Sequence, residues 1–197
     1  MLGKILNKFK KAEPVSIKVF INARVRPMDR GELYADPLIG KLEELGLGEV
    51  VDEGSNLSDE GEIESCELHI EVHSLSEKTI TAIKDVLESG LGVPKGSKLI
   101  IESTQEEIEI GRASGLGLYL NGSDLPQEIY ESCDSNVVFE EIDKLISEIG
   151  FIHSYWDGPS QTALYLYGIS FEELNKRIEN FINTYPLCQK CRVVQIA

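Results

Sequence analysis

Four cysteines and three histidines are the residues of this chain whose types can carry chemistry on their own, and their spacing decides how far each goes. Cys188-Gln189-Lys190-Cys191 has the C-x-x-C spacing of a redox or zinc site. A structural zinc site, however, brings two such pairs, or one pair plus histidines at short spacing. Neither accompanies this one, so the two cysteines read as small residues where the last helix passes into the last strand. His69 and His73 are four apart, which on a helix would suit one metal ion. Apolar and polar residues alternate strictly around them, and on a strand that spacing puts them roughly 13 Å apart. They read as surface histidines beside Glu67 and Glu71. His153 stands alone, with no Ser-His-Asp or Cys-His pairing suggested by its neighbours. The residues therefore predict no catalytic group, no metal and no cofactor.

Two other segments invite a site and decline it on inspection. Gly111-Arg-Ala-Ser-Gly-Leu-Gly117 lacks the Gly-Lys-Ser/Thr end of a phosphate loop and the third glycine of a dinucleotide fingerprint. The acidic stretch with Asp52, Glu53, Asp59, Glu60, Glu62 and Glu64 has the charge of a calcium loop without its D-x-D-x-D-G register. That stretch is more informative as a surface: between Lys41 and Lys78 there are twelve acids and no lysine or arginine. Glu60, Glu62, Glu64, Glu67 and Glu71 are candidate contacts on such a face. Tyr155, Trp156 and Asp157, approaching a turn, have the composition of a binding hot spot and join them as candidates.

The net charge of −15 over 197 residues argues against a polyanionic ligand, because phosphate backbones are bound by lysine and arginine. Nucleic acid is excluded on that ground. Charge is also uneven: residues 1 to 30 carry +6, leaving −21 for the rest. No stretch approaches the roughly 18 apolar residues of a membrane span, and the N-terminus has no uninterrupted apolar run typical of a leader. A cytoplasmic protein with reduced thiols and no stable membrane insertion is expected. With 42% hydrophobic and 27% charged residues, the chain can bury a core without disulfides.

Leu2, Ile5, Leu6 and Phe9 interleave with lysines as a short basic amphipathic arm over residues 1–15, punctuated by Pro14. Alternation from Ile17 to Val25 predicts a first strand. Asp36-Pro37 reads as the cap and first residue of a helix bearing Leu38, Leu42 and Leu45. A short strand at Glu49 to Asp52, a strand through Cys66, Leu68, Ile70 and Val72, a helix capped by Ser76, and a strand from Lys98 to Glu102 complete a set. Residues 104–115 have weak periodicity and read as a linker. The order then repeats. A strand through Leu116, Leu118 and Leu120 leads to a helix opening at Ser135. A hairpin follows, from Phe151 to Trp156 and Thr162 to Tyr167, and then a helix with a Ser170-to-Glu173 capping box and a strand from Arg192 to Ile196. Ser74-Leu-Ser76 and Gly168-Ile-Ser170 mark the same step in each half.

The expected fold is α+β: a tandem duplication of a ferredoxin-like β-α-β-β-α-β unit, each with an antiparallel sheet and its helices on one face, over residues 16–103 and 116–197. Two functions follow from charge and shape. The first is a non-enzymatic acidic binding protein, an inhibitor or immunity-type partner of a basic protein such as a nuclease toxin, with capture accelerated by charge complementarity. The second is a small-ligand-binding sensor or enzyme using the cleft between the two units, since pockets form preferentially at such interfaces. A shallow cleft beside a broad acidic face would favour the first; convergent polar groups with shifted pKa values in the cleft would favour the second.

Overall fold

The computed structural model describes residues 13–197, so most of the expected basic arm lies outside the described residues. The first unit runs β1 (Val15–Ile21), a helical segment, β2 (Gly48–Leu57), β3 (Ile63–Val72), α3 (Glu77–Leu87), β4 (Ser97–Ile101) and β5 (Glu106–Ile110). Its sheet is ordered β2-β3-β1-β4-β5, all neighbours antiparallel. Ile17, Val19, Ile21, Leu68, Ile70 and Leu99 point to one face, where Leu38, Leu42, Ile83 and Leu87 cover them. Period-2 strands and period-3.6 helices thus meet in one apolar layer.

Several local features depart from the sequence expectation: β1 ends at Ile21, although the alternation runs on to Val25, and a short helix (Gln127–Ser132) precedes the one that opens at Ser135. The helix does not start at Asp36: α1 (Pro27–Arg30), a π turn (Gly31–Ala35) and α2 (Asp36–Leu45) run on without a break. Pro37 inside a regular helix would clash with a carbonyl one turn back, and the widened turn, closed by the Asp36 N–H donating to the Gly31 carbonyl, accommodates it. Pro27 is the residue that sits at the true helix start. The short strand expected at Glu49 is ten residues long, so Asp52, Glu53 and Glu64 lie on paired strands and only Ser58 to Glu62 makes the turn. Residues 106–110, read as part of a linker, form the fifth strand.

The second unit repeats the plan with β6 (Ser114–Asn121), α4 (Gln127–Ser132), α5 (Ser135–Ile146), β7 (Gly150–Asp157), β8 (Gln161–Gly168), α6 (Phe171–Thr184) and β9 (Arg192–Gln195). The order β7-β8-β6-β9 corresponds strand for strand to β2-β3-β1-β4. Ser76 and Ser170 each accept the backbone N–H three residues on, as the caps required.

The registers extend the duplication to single residues. Gly48 faces Val72 as Gly150 faces Gly168, and three residues later each strand carries a bulge, at Val51 and at His153. Phe20 faces Lys98 and Tyr119 faces Arg192, and in both pairs the cation lies over the ring, at 6.0 and 4.5 Å. At Gly48 and Gly150 a Cβ would run into the partner strand's backbone, at Glu71 and Tyr167 respectively. Backbone cannot yield as a flexible side chain can. Gly48→Ala and Gly150→Ala should therefore each lower stability by about 2 kcal/mol. Gly40→Ala, on the exposed face of α2 with nothing within 4 Å, should raise it by about 0.5 kcal/mol. Urea unfolding of the three variants checks the pattern.

Candidate functional site

The two sheets differ most on the face turned away from their helices. By register, Glu67, His69 and Glu71 of β3 correspond to Ala163, Tyr165 and Tyr167 of β8, and Lys18 corresponds to Gly117. The first set is charged and half-exposed. The second is buried, and Tyr119, Ala163, Tyr165 and Tyr167 join the core of the first unit beside Ala23, Val25 and Tyr34. The second sheet is thus covered twice, by its own helices and by the end of the first unit, which is why β8 loses its polar alternation.

That contact is closed by polar groups. Glu62, whose side chain is 14% exposed, accepts at Oε1 from the Tyr119 hydroxyl at 2.6 Å and the Tyr165 hydroxyl at 2.8 Å, and pairs with the Arg24 guanidinium. The backbone N–H of Arg24 donates to the Tyr167 hydroxyl at 2.8 Å. Burial and the bond to Glu62 push the Tyr119 phenol up to about 12, and burial with the same bond raises Tyr165 further. Further along, the Ser154 hydroxyl donates to Asp29 Oδ2 at 3.0 Å and accepts the Arg26 N–H at 3.2 Å, while Arg26 Nε donates to Asp29 at 2.9 Å.

Beside this second bridge, a cavity of about 490 Å³ opens between the units. Its apolar wall is Leu33, Val86, Leu87, Leu91 and Phe151; its polar groups are Asp29, Glu32, Tyr34, Ser89 and His153. Each is placed by a distinct device. The π turn carries Tyr34, the end of α3 and its following turn supply the aliphatic side chains, and the bulge in β7 re-aims His153. The imidazole packs edge-on against Tyr167 at 5.2 Å and Phe151 at 6.1 Å. Burial pushes it down to about 4, against the opposing pull of the Asp29 carboxylate, so it is uncharged at neutral pH. Burial also opposes ionisation of Asp29, but the hydrogen bonds from Arg26 and Ser154 outweigh it and hold the carboxyl below its ordinary value. Burial raises the Tyr34 phenol.

The candidates singled out from sequence are not brought together in this cleft, although Tyr155, Trp156 and Asp157 line a separate, smaller cavity of about 250 Å³ with Arg24 and Tyr165. Glu60 and Glu64 are exposed near the β2–β3 turn, while Glu62 is turned inward to the tyrosines. Glu67 lies beside Lys18 at 3.7 Å and His69 at 3.3 Å. Glu71 stands farther along the same face. Tyr155 is half-exposed beneath Arg26, 4.3 Å from the ring centre, Trp156 packs on the first unit's core, and Asp157 is exposed. Cys188 is buried in a short 3₁₀ turn (Pro186–Cys188) between α6 and β9, its thiol pushed up to about 12 by burial. Among the described residues no three His, Cys, Asp or Glu side chains are grouped to hold a metal, and no helix is long and apolar enough to cross a membrane.

The expectation of an inhibitor or immunity-type partner for a basic protein is corrected by this arrangement. The run of acids without a base in sequence acquires bases in space: Arg24 at Glu62, Arg30 at Glu53, Lys18 at Glu67. The convergent polar groups with shifted pKa values are in the cleft. No family model and no curated protein matches the chain. Among solved structures it is similar to a provisionally assigned monooxygenase from Lactobacillus acidophilus (12% identity, 94% of this chain and 95% of that one, TM-score 0.30). A second provisional monooxygenase, from Fusobacterium nucleatum, gives 12% identity, 93% and 91% coverage and a TM-score of 0.31. The ligand-free regulatory subunit of aspartate kinase from Thermus thermophilus gives 11%, 86% and 94%, and 0.27. At identities and scores this low, function has to be read from the cleft itself.

Two outcomes test the seam and the cleft. Glu62→Ala leaves a half-buried guanidinium and two phenols without their acceptor and should cost about 2 to 4 kcal/mol in urea unfolding, with Glu62→Gln costing less. His153 takes up its proton at lower pH in the folded chain than in the unfolded one, where its value is near 6.5. Its contribution is therefore complete above about pH 6.5 and is lost as pH falls toward about 4. His153→Phe should flatten the pH dependence of the unfolding midpoint across that window.

Proposed function

We propose that this protein binds a small organic molecule in the cleft between its two units. The observation that carries this reading is the cavity itself: about 490 Å³, within the range of ligand pockets, with an apolar wall and a few polar groups converging from both units. The polar set suits holding a molecule better than transforming it. A general base works best with a pKa near the operating pH, and His153 lies well below it. No activated nucleophile faces the cavity among the described residues, since Ser89 is an exposed turn residue without a partnering base. A neutral imidazole and a phenol instead offer a donor and an acceptor that orient a ligand whose body rests on Leu33, Leu91 and Phe151.

The neutral solvatochromic naphthalene ketone prodan is a suitable probe. Its emission should shift to the blue on binding one site per chain, and Leu91→Trp, which fills the cavity, should weaken binding at least about tenfold, the equivalent of roughly 1.4 kcal/mol. Far-ultraviolet circular dichroism and the urea midpoint should remain those of the parent protein. Absence of binding, or equal binding by Leu91→Trp, would remove the cleft as the site.

A further inference from the structure

Resting on that reading of the cleft, we infer that its ligand is a protonated organic amine with an apolar body of aromatic size. The lining contains two carboxylates, Asp29 and Glu32, and no lysine or arginine. Asp29 is already matched, by Arg26 at 2.9 Å and Ser154 at 3.0 Å, so its charge is largely answered. Glu32 is different: it is exposed at the cavity's edge and makes no ion pair or hydrogen bond among the described residues.

A second observation points the same way from inside. Tyr34 lines the cavity with its ring buried at 6% exposure, and its hydroxyl, which makes no hydrogen bond among the described residues, is still reached by solvent. A hydroxyl oxygen that is open to the cavity and not engaged elsewhere readily accepts from an ammonium N–H. The rings of Tyr34, Phe151 and His153 surround the same space, and aromatic faces attract a cation by roughly 0.5 to 1 kcal/mol at partly exposed sites. An anion would meet no cationic donor in the lining and a chain of net charge −15. A neutral ligand of the same shape would keep the apolar contact and forgo the attraction to Glu32 and the rings.

Three naphthalene probes of nearly equal shape separate these cases: 1-naphthylmethylamine, 1-naphthalenemethanol and 1-naphthoate, each titrated near neutral pH by displacement of prodan. The amine should bind about fivefold more tightly than the alcohol, the sum of a weak ion pair and a cation–π contact, and the carboxylate more weakly than either. Glu32→Gln should reduce the amine's advantage to about twofold while leaving the alcohol unchanged, and Glu140→Gln, on the exposed face of α5, should change neither. An amine no tighter than the alcohol overturns the inference, as does an advantage that Glu140→Gln removes as fully as Glu32→Gln, since that would be the field of the whole chain. In both of those cases prodan and the alcohol still bind and the cleft stands as a site. If prodan and all three probes fail to bind, the cleft reading falls with the inference.

Discussion

Glu62 carries a charge into a place where water is largely excluded, and it stays there because three donors from both units converge on it. Taking a carboxylate out of water costs several kcal/mol, and only close, well-directed partners offset it. Here the guanidinium of Arg24 comes from the first unit and the hydroxyls of Tyr119 and Tyr165 from the second. Arg24 Nη1 also donates to the Tyr119 hydroxyl at 2.9 Å, so the four groups form one network across the two units, and sliding the units apart by a hydrogen-bond length would break several of its bonds at once. The cavity inherits this precision. Its walls belong to α1, the π turn and α3 on one side and to β7 on the other, and no disulfide ties them, since all four cysteines are free.

The duplicated unit offers two outer sheet faces, and their residues decide which one is covered. Where the first sheet has Lys18, Glu67, His69 and Glu71, the second has Gly117, Ala163, Tyr165 and Tyr167 at the corresponding registers. Charged side chains on a sheet face resist burial, whereas two tyrosines, with Tyr119 beside them, and small neighbours provide large apolar area with hydroxyls that can be satisfied at the rim. The second face therefore docks and the first stays solvated. The same asymmetry accounts for the acidic face: its carboxylates alternate outward as β3 dictates, and Lys18 reaches Glu67 across the sheet.

Element order and the repeat were legible because period-2 and period-3.6 patterns are local properties of the chain. Ile17 to Ile21, Leu116 to Leu120 and the hairpin at Asp157-Gly158-Pro159 announce themselves without reference to anything distant. What was hidden depends on context. Asp36-Pro37 has the form of a helix start, and only the π turn, stabilised by packing of Tyr34 and Ala35, lets the helix begin at Pro27 instead. β5 is a short edge strand, Glu106-Glu-Ile-Glu-Ile110, that turns Ile108 and Ile110 to the core and glutamates outward, and its pairing with β4 sets it in place despite so short a pattern. The cleft draws on residues 29–34, 86–92 and 151–153, stretches joined only by topology. One signal was available: the unbroken run Ala163-Leu-Tyr-Leu-Tyr167 is too apolar for a strand wet on one side, and it says that something must cover β8.

The bulges at Val51 and His153 show where a site comes from in a duplicated fold. Both sit three residues after a glycine pressed against the neighbouring strand, both interrupt the same pairing, and both turn one extra side chain away from the ladder. In the first unit that side chain is a valine left 50% exposed at a sheet edge. In the second it is an imidazole packed on Tyr167, facing Asp29 and Tyr34 across the gap. The backbone device is the same, so the device alone does not make a site. What differs is the opposing wall: β7 lies on the face that docks, and the end of the first unit supplies the low-dielectric surroundings that hold His153 neutral. A pocket with shifted ionisation is therefore a property of the pair of units: it exists because one outer face is apolar enough to be buried and the bulge on that face has an opposing wall to meet.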